Sequence, residues 1–259
     1  MGAAFFRFYA ELNDFLPPDR RQTDFVHPFE DRISVKDMIE SLGVPHTEVE
    51  LIVVEGHPVD FSYIVQDGDH ISVYPVFEAV DITPLVRLRP HPLRKLRFVL
   101  DNHLGKLATY LRLLGFDTLY RNDYDDEVLA RVSVEERRIL LTRDRGLLQR
   151  GDVTHGYCVR ATDPEQQLIE VIRRFDLGRA TTPFNRCLLC NTRLESVSKE
   201  AVSERLPPKV REQRAEFYIC RACDRIYWKG SHYERMAQFV NRIFATVATH
   251  HCHSRNPTL

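Results

Sequence analysis

The chain opens on Phe5-Phe6-Arg7-Phe8-Tyr9, an apolar run broken by one charge, which predicts a first strand. Residues 23–33 resemble a second strand with a polar turn before it. Val35, Met38, Ile39 and Leu42 then recur at helical spacing. Ser34 and Asp37 form a variant capping box at the start of that helix, and Gly43 suits its C′ position. Glu50-Leu51-Ile52-Val53-Val54 predicts another strand, followed by a turn at Glu55-Gly56-His57-Pro58. A tight turn at Asp67-Gly68-Asp69 precedes a last strand, Ile71-Ser72-Val73-Tyr74-Pro75. The order ββαββ fits a β-grasp domain over residues 1–80.

Residues 81–96 hold three prolines and four basic residues and read as a linker. Over 97–177 the pattern alternates. Strands are expected at Arg97-Phe98-Val99-Leu100, Asp117-Thr118-Leu119-Tyr120, Arg138-Ile139-Leu140-Leu141-Thr142 and Gly156-Tyr157-Cys158-Val159. Between and after them lie helical patterns: Leu104, Leu107, Ala108, Leu111 and Leu114, stopped by Gly115; Val128, Leu129 and Val132; a short helix after the third strand; and one opened by Asp163-Pro164. Strands separated by helices predict a parallel sheet. Residues 178–259 carry two Cys-x-x-Cys pairs, a charged stretch between them, a helix over about 233–247 and a polar tail.

Composition fits this three-module α/β reading: of 259 residues 43% are hydrophobic and 28% charged, as in a soluble globular protein. No apolar run is long enough to span a bilayer, and the first residues lack the pattern of a signal peptide. A cytoplasmic, membrane-free protein is the expectation. The net charge of −1 hides an asymmetry. Residues 1–80 carry 5 basic and 15 acidic side chains, whereas residues 181–259 carry 13 and 7. The basic end hints at a polyanionic partner, and the acidic head at a protein partner.

Four of the six cysteines, Cys187, Cys190, Cys220 and Cys223, form the two pairs within 37 residues. This spacing predicts a four-thiolate zinc ribbon whose metal is structural, because four protein ligands leave no open position. Phe217, Tyr218, Tyr227 and Trp228 flank the second pair among Arg221, Arg225 and Lys229. Rings beside cations suit stacking on single-stranded bases, and rings in a small ribbon equally suit its core. His250-His251-Cys252-His253 is a weaker metal candidate, and Cys158 reads as core.

Each strand of the middle module is followed by a carboxylate: Asp101; Asp123, Asp125, Asp126 and Glu127; Asp144; Asp163. Ligands of open parallel sheets bind at this edge. Gathered carboxylates repel unless protonated or neutralised, and Mg²⁺ or Mn²⁺ are the hard cations such oxygens take. Arg121, Arg143, Arg145 and Arg160 are at hand for phosphates. Asp163, Asp144 and Asp101 also stand where helix caps are needed. No Gly-x-Gly-x-x-Gly, Walker or Gly-x-Ser-x-Gly pattern supports nucleotide-cofactor or serine-hydrolase chemistry.

The first module looks like a ubiquitin-like sulfur carrier in Val54-Glu55-Gly56-His57-Pro58-Val59 and Asp67-Gly68-Asp69-His70-Ile71-Ser72-Val73-Tyr74-Pro75. Pro75 runs on into Val76-Phe77-Glu78-Ala79-Val80 with no Gly-Gly, so that chemistry is not expected. The middle and last modules carry Phe98-Val99-Leu100-Asp101, Leu104-Gly105-Lys106-Leu107-Ala108, Tyr110-Leu111-Arg112-Leu113-Leu114-Gly115-Phe116-Asp117, Asp125-Asp126-Glu127-Val128-Leu129, Arg138-Ile139-Leu140-Leu141-Thr142-Arg143-Asp144-Arg145 and Tyr227-Trp228-Lys229-Gly230-Ser231-His232. In these segments the chain resembles the Mut-seven C-terminal RNase family, a PIN-like nuclease with a zinc ribbon, some of whose members bear an N-terminal ubiquitin-like domain. The resemblance implies divalent metal on Asp101, on Asp125 or Asp126, and on Asp144, with Asp163 less secure. The expected activity is metal-dependent RNA hydrolysis, with Lys106, Arg143, Arg145, Trp228 and His232 as substrate contacts. The alternative is an RNA-binding or ribosome-associated protein without catalysis.

Overall fold

The structure is a computed structural model that describes residues 1–75 and 96–251. Residues 76–95, which hold nearly all of the expected linker, and 252–259, with Cys252 and His253, lie outside the described residues. In chain order the head comprises β1 (Gly2–Phe8), β2 (Phe25–Phe29), α1 (Val35–Ser41), β3 (Val49–Val54), β4 (His57–Val59) and β5 (His70–Pro75). The middle stretch comprises β6 (Arg97–Leu100), α2 (Gly105–Leu113), β7 (Asp117–Tyr120), α3 (Asp126–Glu135), β8 (Ile139–Thr142), α4 (Arg145–Leu148), β9 (Gly156–Cys158) and α5 (Pro164–Arg174). The last comprises β10 (Glu195–Val197), α6 (Lys199–Val202), α7 (Pro208–Gln213), β11 (Phe217–Ile219), β12 (Ile226–Trp228) and α8 (Ser231–His251).

One compact unit contains Met1–His103 and Asn122–Cys158. Its five-stranded sheet has the order β2-β1-β5-β3-β4, with β1 and β5 parallel and the other pairs antiparallel. This is the β-grasp arrangement that the ββαββ pattern predicts. Ala4, Phe6 and Phe8 alternate inward along β1 and are buried, as are Val35, Met38 and Ile39 of α1. The Ser34 side chain accepts from the Asp37 main-chain N–H and donates to its carboxylate, which fixes the start of α1. The expected four-residue turn is shorter than the pattern suggests. Only Glu55 and Gly56 turn, with φ of +48° and +79°, and His57 already pairs with Val54. Pro58 is tolerated because β4 is an edge strand.

The same unit holds β6, β8 and β9, paired in parallel in that order. All four residues of β8 are buried, as a strand covered on both faces requires. Side chains from the head reach this sheet. The Cys158 N–H donates to the buried Glu48 carboxylate at 2.6 Å, and the His46 ring bridges Glu40 and the Val153 carbonyl at 2.6 and 2.9 Å.

The second unit contains Leu104–Arg121 and Val159–Leu259. Here α2 buries Leu107, Ala108 and Leu111 and packs against β7 and α5. Helix α5 starts on Asp163, whose carboxylate accepts from the N–H groups of Glu165 and Gln166, with Pro164 at its first position. It packs on α8, which extends four residues beyond the expected end near residue 247. Tyr110 meets Phe239 of α8 at 4.6 Å, and Arg242 pairs with Glu165. Gly115 ends α2 at a φ of +96°, where a Cβ would fall 2.3 Å from the Thr182 carbonyl oxygen.

The ribbon sheet has the order β10-β11-β12, antiparallel throughout. The 29 residues between the cysteine pairs, legible in sequence only as a charged stretch, contain α6 and α7. They supply Val202, Leu206 and Val210, which close on Phe217 and Trp228 as a small apolar core. Among the described residues no helix is long and apolar enough to cross a membrane.

Candidate functional site

Asp101 follows β6 directly and is only 6% exposed. Its Oδ1 accepts from the His103 N–H at 2.8 Å, and the His103 ring lies 3.6 Å from the same oxygen. Its Oδ2 accepts a short hydrogen bond from the Thr142 hydroxyl and a 3.2 Å bond from the Arg143 N–H. Thr142 Oγ1 in turn accepts from the Asp144 N–H at 2.9 Å. One hydroxyl thus ties the buried carboxylate at the end of β6 to the main chain at the end of β8. That is possible because the two strands are parallel neighbours and deliver their carboxyl ends to one side. A buried carboxylate held by three donors has one orientation.

The other acids differ in role. Asp125 caps α3 by accepting from the Val128 N–H at 2.8 Å, and Asp144 caps α4 by accepting from the Gly146 N–H at 2.8 Å. Both are exposed, as is Asp126 in the first turn of α3. Each cap uses Oδ1, and a carboxylate has further acceptor sites for a cation. Asp163 caps α5 and belongs to the second unit. Thr142 carries the arrangement, and sequence reading passed over it. Its signal is one polar residue closing an otherwise apolar strand.

The expected substrate contacts fall in both units. Arg143 is exposed and directly precedes Asp144 in sequence, and its main-chain N–H donates to Asp101. Arg145 instead lies 4.9 Å over the Phe15 ring and donates to the Phe15 carbonyl. In the second unit the Lys106 amine lies 5.6 Å from the Tyr110 ring centre, and His232 is exposed in the first turn of α8. Trp228 is partly buried against the ribbon core.

Among the described residues one group of metal-ligating side chains is gathered tightly enough to hold an ion: Cys187, Cys190, Cys220 and Cys223, with all sulfurs within 4.8 Å of one another. The Cys187–Cys223 and Cys190–Cys220 separations are 3.5 and 3.3 Å. A tetrahedral zinc with Zn–S near 2.3 Å sets sulfurs about 3.8 Å apart. The two loops share one backbone pattern. The first cysteine's carbonyl accepts from the residue four on, Asn191 or Asp224. Its N–H donates to the residue five on, Thr192 or Arg225. Asn191 and Asp224 both take positive φ, of 68° and 58°. Such residues tolerate that conformation better than most.

Burial works against ionisation of Cys190, but hydrogen bonds from Cys220 and Thr192 bring it down to about 6. Burial pushes Cys223 up to about 12 and raises Cys220 as well. The Tyr227 hydroxyl shares a hydrogen bond with Cys187 Sγ at 3.0 Å, and its pKa is raised by burial and then by that bond. Four crowded thiols cannot all ionise unaided, and a soft divalent cation resolves the conflict. Buried Arg112 stands close by. Burial lowers its pKa, while Cys187, Cys190 and Asp117 act in the opposite sense.

A family model described as Mut7-C RNAse domain matches residues 96–240, and one described as Mut7-C ubiquitin matches residues 1–81. No curated protein and no solved structure matches the chain.

Proposed function

The chain belongs to the Mut7-C RNAse domain family, and from that premise we propose that it is a metal-dependent ribonuclease whose active centre is built on Asp101. The observation that carries this reading is the buried Asp101 carboxylate, locked at a strand end by Thr142 and the Arg143 main chain. Three donors offset the cost of burying this charge and hold it in one orientation, as a metal ligand requires.

Asp101, Asp144 and one of Asp125 and Asp126 would hold Mg²⁺ or Mn²⁺. The donors are hard oxygens, as these ions require, and Mg²⁺ takes only one or two carboxylates directly with waters completing its shell. Asp101 is buried and Asp125, Asp126 and Asp144 are exposed, so an ion held there would keep waters of its own. When bound, the ion lowers the pKa of a water and stabilises the leaving oxygen of a phosphodiester. Thr142 keeps Asp101 in place, and the exposed Arg143 guanidinium meets a substrate phosphate. The four cysteines hold a structural zinc that takes no part in the hydrolysis.

A second reading has a specific observation in its favour: Asp125, Asp144 and Asp163 each act as helix caps, a sufficient reason for their presence. It makes the chain an RNA-binding protein without catalysis. Incubating the zinc-loaded chain with labelled single-stranded RNA separates the two. Cleavage in Mn²⁺ that ceases in metal-free buffer is the outcome of the first reading. Salt-sensitive RNA retention with no cleavage in Mn²⁺ or Mg²⁺ overturns it in favour of the second.

A further inference from the structure

We propose that the metal of the cysteine cluster fastens α2 and β7 as well as the ribbon, and that Arg112 is the positioning residue through which it does so. The side chain of Arg112 leaves α2 and is 4% exposed. Its Nη1 donates to the carbonyls of Leu188 and Leu189 at 3.1 and 2.8 Å, the two residues between the paired cysteines of the first loop. Its Nε donates to the Thr118 carbonyl in β7 at 2.9 Å. One rigid guanidinium fork therefore joins a helix, a strand and the metal-binding loop.

A second tie runs in parallel. Asn191, the residue after Cys190, accepts from the Thr118 N–H at 3.0 Å and donates to the Asp117 carboxylate at 2.8 Å. Arg186, just before Cys187, donates to the Gly115 carbonyl at 3.0 Å and pairs with Asp117 at 3.7 Å. Every bond is made by a residue within or next to the first cysteine loop, whose shape a bound ion fixes. A four-thiolate zinc site carries a net negative charge, and the Arg112 guanidinium is its buried counter-charge from outside the ribbon. A ribbon that was only an appendage would give α2 no reason to bury an arginine against its first loop, nor that loop a reason to turn an asparagine onto β7.

The proposal rests on the cluster taking zinc, so metal content of the purified full chain is measured first. A chain without zinc overturns that metal reading before any further step. With zinc present, hydrogen exchange is followed before and after removal of the metal by a chelator. Amides of residues 105–120 are expected to exchange at least tenfold faster without zinc, together with those of 187–223, while β6 and β8 keep their protection. Unchanged exchange over 105–120 overturns the proposal, and so does equal loss of protection across the whole chain. Arg112→Lys keeps the charge and loses the fork. It should release zinc at a chelator concentration at least threefold lower than wild type, and an unchanged midpoint contradicts the role of Arg112.

Discussion

Thr142 shows how much one side chain can settle. Its hydroxyl is the only element joining the Asp101 carboxylate to the Asp144 main chain by bonds on both sides among the described residues. Thr142→Val keeps the shape and removes both bonds. Leaving a buried carboxylate one donor short costs about 1–3 kcal/mol. Urea denaturation should show a loss of that order, and metal-dependent cleavage should fall with it because Asp101 is no longer fixed. Wild-type stability in the Val variant would mean that the hydroxyl does not hold the carboxylate.

Two glycines make a second comparison at this scale. Gly56 and Gly115 both take positive φ, but a Cβ on Gly56 meets nothing within 4 Å, whereas one on Gly115 collides with the Thr182 main chain. Gly56→Ala should therefore cost only the left-handed backbone penalty, about 1–2 kcal/mol. Gly115→Ala adds displacement of the 182–184 segment, which hydrogen-bonds to Leu113 and Leu114, and should cost clearly more. Thermal melts of the two variants decide it, and equal losses would contradict the account. The Gly115 turn could be read from sequence as a helix stop. The clash could not, because Thr182 lies 67 positions away.

Elements were legible where their signals are local. Ser34 with Asp37, Asp163 with Pro164, and Gly115 mark helix ends by chemistry within three residues, and β6 and β7 fall on their predicted bounds. Elements defined by distant partners were hidden. His57-Pro58-Val59 becomes a strand only because Val54, Val53 and Ile52 pair with it. Val202 of α6 and Val210 of α7 join an apolar cluster with Phe217, Ile226 and Trp228 of the ribbon sheet, which is distant in sequence. The same division holds in the site: acids could be placed at strand ends, but Arg112 reads as an ordinary helix charge until its bonds to the Leu188 and Leu189 carbonyls are seen.

The cysteine loops carry their own prediction. With Cys190 near 6 and Cys223 near 12, at neutral pH the metal-free cluster holds at least one thiol proton that zinc must displace. Zinc affinity should rise with pH and fall on acidification, since protons compete for the same sulfurs. Calorimetric titration of the metal-free chain in buffers of different ionisation enthalpy should reveal proton release. Binding with no net proton release would rule out four-thiolate ligation.

At the scale of the molecule, three modules were expected, and the family models divide the chain between a ubiquitin-like head and an RNase domain. Packing follows other lines. Glu48 and His46 of the head bond to Cys158 and Val153, so the head and the β6-β8-β9 sheet share one compact unit, while the ribbon shares the other with α2, β7 and α5. No periodicity announces a carboxylate in one module that caps a strand in another, 110 residues on. The acids after the strands could be read from sequence, and the proposed function stands on them. Its most direct test compares Asp101→Asn with Asp163→Asn in zinc-loaded protein cleaving single-stranded RNA in Mn²⁺. Asparagine caps a helix as well as aspartate does, so Asp163→Asn should match wild type. Asp101→Asn should lose on the order of a hundredfold or more in rate, the scale expected when a preorganised electrostatic group at the reacting centre is removed. Equal cleavage by Asp101→Asn and wild type would contradict the assignment of the active centre.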